Sequence, residues 1–133
     1  MENVRERLLE AAHAVFAEEG YRGATTRRIA ARARVNEVTL FRHFAGKDEL
    51  LAAAIDRQVE VSKARIDSEP LPETPGDIGR ELEGFLAAVL AGFCAAQQGV
   101  RTSMGEWGHH PELDERLSGT SNHIAGRLER YLR

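Results

Sequence analysis

The sequence predicts an all-α protein. Apolar residues recur at intervals of three and four along most of the chain, and no stretch alternates β-branched with polar residues as a strand would. Residues that begin or end helices divide this pattern into segments: Gly20 ends the first, Thr25 or Thr26 begins the second, and Asn36 begins the third. The composition, 42% hydrophobic and 29% charged over 133 residues, is that of a globular protein rather than a disordered one.

The first predicted helix runs from about Val4 to Glu19. Its buried face consists of residues at helical spacing, namely Val4, Leu8, Ala12, Val15 and Phe16. Gly20 follows directly and can adopt the left-handed conformation that often ends a helix.

Two short helices around a tight turn are predicted in residues 25–44, TTRRIAARARVNEVTLFRHF. In the first, Ile29, Ala30 and Ala33 form the buried side, and Val35 closes the turn. In the second, Leu40 and Phe44 form a buried pair four residues apart. This arrangement is typical of a helix-turn-helix.

The remaining side chains of the second short helix suit a surface that reads a DNA groove. Arginine can fork onto guanine or phosphate, threonine and valine can contact a thymine methyl, and glutamate can accept from cytosine N4; the outward residues are Glu37, Val38, Thr39, Phe41, Arg42 and His43. Residues 22–47 contain seven Lys/Arg and one Glu, a net charge of +6. A merely solvated helix face usually mixes its signs, so this imbalance favours DNA binding.

The pattern G-x3-TTRRIA-x2-A-x-VNEVTLFRHF-x2-KDELL resembles the N-terminal DNA-binding domain of the TetR family of bacterial transcriptional regulators. The resemblance spans roughly residues 5–52 and joins an N-terminal helix, the two-helix reader and a fourth helix that starts with lysine. It implies that Leu40 and Phe44 hold the reader helix in the core. The DNA-binding residues that we predict are Thr25, Thr26, Arg27, Arg28, Asn36, Glu37, Val38, Thr39, Phe41, Arg42, His43 and Lys47.

Two positions depart from the family pattern. Arg34 stands in the turn where the family usually has glycine, so a positive φ there would cost on the order of 1 kcal/mol. Phe41 replaces the commoner tyrosine and lacks the hydroxyl that would bond a phosphate. One phosphate contact per half-site should be missing unless Arg42 or Asn36 supplies it.

A long fourth helix is predicted to join two domains, residues 1–50 and residues 51–133. It starts near Lys47 and continues to Ile66, about 20 residues or about 30 Å, which is long enough to leave one domain and enter the next. Residues 67–76, DSEPLPETPG, contain three prolines and form a linker. The net charge is +2 over residues 1–65 and −5 over residues 66–133, which indicates different roles for the two parts.

The C-terminal part is predicted to be an incomplete helical bundle that binds a ligand and dimerises. A helix from about Asp77 to Gln97 carries a wide apolar stripe, for which plain core packing is the alternative. A short helical piece from Val100 to Trp107 follows, and a final helix from Pro111 to Arg133 repeats Leu113, Leu117, Ile124, Leu128 and Leu132. The candidate pocket residues are Phe85, Leu86, Val89, Phe93, Met104 and Trp107.

Several other functions lack a sequence signal. No apolar run approaches the roughly 20 residues of a membrane span, and no signal peptide is evident, so we expect a cytoplasmic protein without a membrane partner. The single Cys94 is expected to be a buried small residue. The acidic and histidine cluster around residues 106–114 matches no zinc spacing, no catalytic set stands out, and we expect no metal, no cofactor and no enzymatic activity.

Together these patterns favour a transcriptional regulator, a repressor that binds a palindromic operator in double-stranded DNA as a homodimer and is released by a small-molecule effector. Two alternatives remain open at this point. One is a constitutive helix-turn-helix binder without an effector, and the other is a small helical enzyme or carrier whose basic patch binds an anionic ligand.

Overall fold

The computed structural model describes residues 3–100 and 111–133, and within them the chain forms six helices and no strand. The all-α prediction is therefore confirmed. In chain order the helices are α1 (Val4–Gly23), α2 (Thr26–Arg32), α3 (Glu37–His43), α4 (Lys47–Asp67), α5 (Ile78–Val100) and α6 (Pro111–Leu132).

The first four helices share one hydrophobic core. Leu8 of α1, Ile29 of α2, Leu40 of α3 and Leu50 of α4 are each fully buried. Phe44, which follows α3, is only 2% exposed, so the predicted burial of Leu40 and Phe44 is confirmed. Truncating one such leucine to alanine typically costs about 2–5 kcal/mol, so each of these contacts helps to fix the position of α3.

Gly20 breaks the helical conformation of α1, as the sequence indicates. Its φ of 72° and ψ of 175° lie outside the helical region, and the chain makes one further turn to Gly23. The Gly20 carbonyl accepts a hydrogen bond from the Ala24 amide at 3.1 Å. The bend lets the chain turn sharply into α2.

The fourth helix extends from the N-terminal core to the C-terminal helices. α4 is 21 residues long and contacts α1, α5 and α6, in agreement with the predicted long connecting helix. The proline-rich segment after it is not helical, and Asp77 begins α5 by accepting a hydrogen bond from the Arg80 amide at 3.1 Å.

The C-terminal helices bury two aromatic residues. Phe85 of α5 is fully buried and Tyr131 of α6 is 3% exposed. Leu132, the last residue of the predicted apolar repeat of this helix, is 67% exposed. The inward side of α6 instead passes through Leu128 and on to Tyr131, three residues later. The predicted apolar repeat did not include this tyrosine, whose ring is amphipathic.

The apolar stripe of α5 is only partly covered. Ile78, Leu86, Leu90 and Phe93 are each about half exposed or more, and Cys94 is exposed, which contradicts its predicted burial. Cys94 is exposed, as is its neighbour Phe93. Among the described helices, none has a hydrophobic stretch of the length needed to cross a membrane.

Candidate DNA-binding interface

The turn between α2 and α3 contains a residue with positive φ. The Arg34 amide donates to the Ala31 carbonyl at 3.1 Å and the Val35 amide donates to the Ala30 carbonyl at 3.0 Å, the hydrogen-bond pattern of a Schellman motif. Arg34 has a φ of 58°, the only positive φ at a non-glycine position in the described residues. The glycine-favouring geometry expected there is confirmed, and the arginine side chain makes it unfavourable by about 1–2 kcal/mol.

Side-chain caps begin both short helices. Thr25 Oγ1 accepts from the Arg28 amide at 3.2 Å, which resolves the choice between Thr25 and Thr26. Asn36 Oδ1 accepts from both the amide and the hydroxyl of Thr39, at 2.8 and 2.9 Å. These caps define the start of each helix to within one residue.

A hydrogen bond between side chains also joins the two short helices. Thr26 Oγ1 donates to Glu37 Oε2 at 3.0 Å, and both residues are partly buried. The contact lies at the N-terminal ends of α2 and α3 and orients the Glu37 carboxylate. Glu37 Oε1 has no hydrogen-bond partner among the residues that the structure describes.

The outer face of α3 presents apolar and polar side chains together, including one arginine. Val38 is 62% exposed and Phe41 is 50% exposed, and Arg42 and His43 are exposed beside them. Neither Arg42 nor His43 has an ion pair or side-chain hydrogen bond within residues 3–100 and 111–133. Large exposed apolar side chains next to an arginine and a histidine that are free to make new contacts suit binding of base edges and phosphates together.

Carboxylates of α1 neutralise part of the basic surface. Arg28 pairs with Glu19, and Arg32 makes a two-point contact with Glu18 at 3.0 and 3.1 Å. Hydrogen bonding to Glu18 also raises the pKa of Arg32. The net charge counted over residues 22–47 left out these two glutamates, so the folded surface is less basic than that count implied. Arg27 is exposed and has no such partner in the described part of the chain.

Lys47 is held at the start of α4 by contacts with α1. Its Nζ donates to the Tyr21 carbonyl at 2.8 Å and lies 4.1 Å from the centre of the Tyr21 ring. The Tyr21 hydroxyl in turn bonds Asp48. Lys47 therefore has a structural role in addition to the DNA contact predicted for it.

Arg7 of α1 is a residue of this region that the sequence reasoning missed. Its guanidinium donates to the Ala33 carbonyl through Nη2 at 2.8 Å and through Nε at 3.3 Å, and to the Arg34 carbonyl at 3.4 Å. The sequence carries no signal for this contact, because 26 residues separate Arg7 from Ala33.

The candidate ligand-pocket residues fall into two groups in the described part of the chain. Phe85 is fully buried, and the Arg127 guanidinium carbon lies 5.3 Å from the centre of the Phe85 ring. Val89 is partly buried. Leu86 and Phe93 are about half exposed. Met104 and Trp107 lie outside the described residues, as does the histidine pair of the acidic cluster.

The short α2, the Schellman turn and the capped α3 with its exposed mixed face define the class of the N-terminal part as a helix-turn-helix domain. Residues 8–54 match the family described as bacterial regulatory proteins, tetR family. The resemblance of the N-terminal part to the TetR family is thereby confirmed over residues 8–54.

Individual relatives agree with this assignment. The chain is 38% identical over 141 aligned positions to the HTH-type transcriptional repressor SCO4008 of Streptomyces coelicolor, an alignment that covers 99% of this chain and 61% of that protein. It is 46% identical over 55 residues to the HTH-type transcriptional repressor Rv3405c of Mycobacterium tuberculosis, covering 41% of this chain and 29% of that protein. In both cases the chain spans less than two thirds of the relative's length.

A solved structure shows the same fold. The crystal structure of a putative TetR-family transcriptional regulator from Mesorhizobium loti superposes with a TM-score of 0.84, over 96% of this chain and 67% of that one. The two sequences are 18% identical, so the likeness concerns the arrangement of the helices.

Proposed function

We propose that this chain is part of a transcriptional repressor that binds a palindromic operator through residues 25–47. The observation that carries the proposal is the outer face of α3, where exposed Val38 and Phe41 lie beside Arg42 and His43. Arg27 of α2 adds another exposed cation that has no ion pair among the residues that the structure describes. In this proposal Arg27, Val38 and Arg42 contact bases or groove walls and His43 contacts a phosphate. Thr39 can donate to a phosphate only when its hydroxyl leaves Asn36 Oδ1.

The contacts made within the protein modify the predicted set of DNA-binding residues. Arg28 is paired with Glu19 and Lys47 with Tyr21, so both must leave or share a partner before they neutralise a phosphate. The Thr26 hydroxyl donates its single proton to the Glu37 carboxylate. Thr26 can therefore position Glu37, but it has no second proton to donate to DNA. Glu37 retains one oxygen to accept from cytosine N4.

The proposal includes a homodimer and a small-molecule effector. A single α3 reads one half-site, and a symmetric dimer reads two half-sites about 34 Å apart. The effector would bind among α4, α5 and α6 and favour a separation of the two α3 helices that no longer fits successive major grooves. The contacts of α4 with both the N-terminal core and α6 support this coupling. The relatives' names as transcriptional repressors agree with an activity that is regulatory rather than enzymatic.

The test is selective binding of DNA by the purified chain at stated salt. Genomic fragments are screened by electrophoretic mobility shift, and the best duplex is compared with a scrambled duplex of equal length. If Arg27 and Arg42 read bases, each change to alanine costs about 1–3 kcal/mol on the selected duplex and less on the scrambled one. Arg65→Ala removes the same charge from the exposed far end of α4 and should leave the ratio of the two affinities unchanged.

Equal losses on both duplexes would reassign Arg27 and Arg42 to phosphate contacts. Wild-type protein that binds no fragment in preference to scrambled DNA, at any salt concentration that allows binding, would refute the proposed function itself.

A further inference from the structure

Arg7 satisfies the carbonyl groups that end the first short helix. The last carbonyls of a helix have no partner within it. Here the Ala30 and Ala31 carbonyls accept from the amides of Val35 and Arg34, and the Ala33 carbonyl, on a residue only 5% exposed, accepts from Arg7. The Arg7 guanidinium also reaches the Arg34 carbonyl. Two of the carbonyls that the Schellman hydrogen bonds leave over are thus bonded by one side chain of α1.

The residue that these bonds hold is conformationally unfavourable. A non-glycine residue at a φ of 58° persists only where the surrounding structure over-determines it. The planar fork of Arg7 provides such a restraint, because it spans the two successive carbonyls on either side of the Arg34 α-carbon.

We propose that Arg7 is a positioning residue for DNA recognition, which sets the direction of α3 by holding Arg34 in its positive-φ conformation, without itself contacting DNA. This inference rests on the proposed function. Base contacts require side chains placed to within about 0.5 Å, whereas phosphate attraction tolerates displacement. Loss of Arg7 should therefore weaken binding to the selected duplex more than binding to the scrambled one.

The experiment uses two variants of Arg7 in two backgrounds. Arg7→Met removes every donor, and Arg7→Lys keeps the charge but cannot bridge both carbonyls. Each is made in the wild type and together with Arg34→Gly, since glycine adopts positive φ without a steric cost. Because Arg34→Gly also removes a charge, each double variant is compared with Arg34→Gly alone.

The first measurement needs no DNA. The Val35 amide, which bonds the Ala30 carbonyl, should exchange its proton about tenfold faster in Arg7→Met, and the Leu9 amide in the middle of α1 should not change. Arg34→Gly should slow the Val35 exchange again. Should Arg7→Met fail to fold, Arg7→Lys gives the same comparison with a smaller change.

The second measurement is affinity for the selected and scrambled duplexes. We expect Arg7→Met to weaken selected binding about tenfold, equivalent to about 1.4 kcal/mol, with scrambled binding changed less than twofold. In the Arg34→Gly background the same change should cost less than threefold. A loss that Arg34→Gly does not reduce would overturn the proposal, and so would an unchanged Val35 exchange rate. Failure of the wild type to select any duplex would instead refute the proposed function, while the exchange measurement would still decide whether Arg7 holds the turn.

Discussion

Removal of the two glutamates that pair with the α2 arginines should strengthen DNA binding. Glu18 and Glu19 lie at the end of α1 and contact Arg32 and Arg28. In the Glu18→Gln/Glu19→Gln variant both guanidinium groups lose their carboxylate partners. Their side chains are about half exposed or more, so the freed groups can reach phosphates at the edge of the interface.

The expected size of the effect follows from counterion release. Each phosphate that a protein cation neutralises contributes about 0.9 to the slope of log affinity against log salt. Two freed arginines should therefore steepen the slope by up to about 1.8, and between 50 and 200 mM salt the variant should lose about tenfold more affinity than the wild type. Folding stability should change little, because exposed ion pairs contribute about 0–1 kcal/mol each.

The assay is fluorescence anisotropy with a scrambled duplex at four or more salt concentrations. Glu60→Gln is a control for charge, since Glu60 is exposed on α4 and pairs with Lys63. Adding Arg28→Gln and Arg32→Gln to the double variant should return the slope to the wild-type value. Equal slopes for the wild type and the double glutamine variant would refute the reasoning, because they would mean that the carboxylates do not limit the contact of these arginines with DNA.

Three further predictions concern α4 and two titrating groups. Lys47→Met should lower the melting temperature as well as the affinity for DNA, since Lys47 bonds the Tyr21 carbonyl. A loss of affinity at an unchanged melting temperature would show that Lys47 has no structural role. Burial, followed by the nearby Arg57 charge, lowers the pKa of His13, so the wild type should lose stability relative to His13→Gln as pH falls below 6.5 in urea titrations. Burial and the hydrogen bond to Glu81 raise the pKa of Tyr131 to about 12, so the free energy of unfolding should fall as pH rises from 10 towards that value. Tyr131→Phe should abolish this alkaline loss of stability. An identical alkaline loss in the variant would contradict the prediction.

Local signals in the sequence were enough to predict much of the helix-turn-helix. Caps and helical periodicity involve residues at most five apart, so Asn36 could be inferred as a cap, and Thr25 as one of two candidates, without tertiary information. The burial of Leu40 and Phe44 followed from their spacing for the same reason. The positive φ at Arg34 was indicated only by the glycine that the family pattern has there.

Contacts between distant parts of the chain could not be predicted in this way. The pairing of Glu18 with Arg32 depends on how α1 crosses α2, and the contact of Arg7 with the turn depends on the same crossing. Neither glutamate differs in sequence from an ordinary solvated residue near the end of a helix. For the candidate site, residue types were therefore predictable, but the division of the arginines into paired and unpaired groups required the fold.

The contacts of α4 determine how a change among the C-terminal helices can reach the DNA-binding surface. At its start Lys47 bonds the Tyr21 carbonyl, and along its length Arg57 pairs with both Glu6 and Glu10 of α1.

Near the other end of α4, Arg127 of α6 bonds the carbonyls of Ile66 and Glu69, and His123 lies 2.6 Å from the Asp67 carboxylate. A tilt of α4 relative to α1 would have to break the ion pairs of Arg57 and expose the core around Leu50 and Leu51. A tilt that carries α1 to α3 along keeps the ion pairs of Arg57 and the core around Leu50 and Leu51 intact. We therefore expect α4 and the helix-turn-helix to move as one body, with displacement of α6 changing the position of α3 but not its shape.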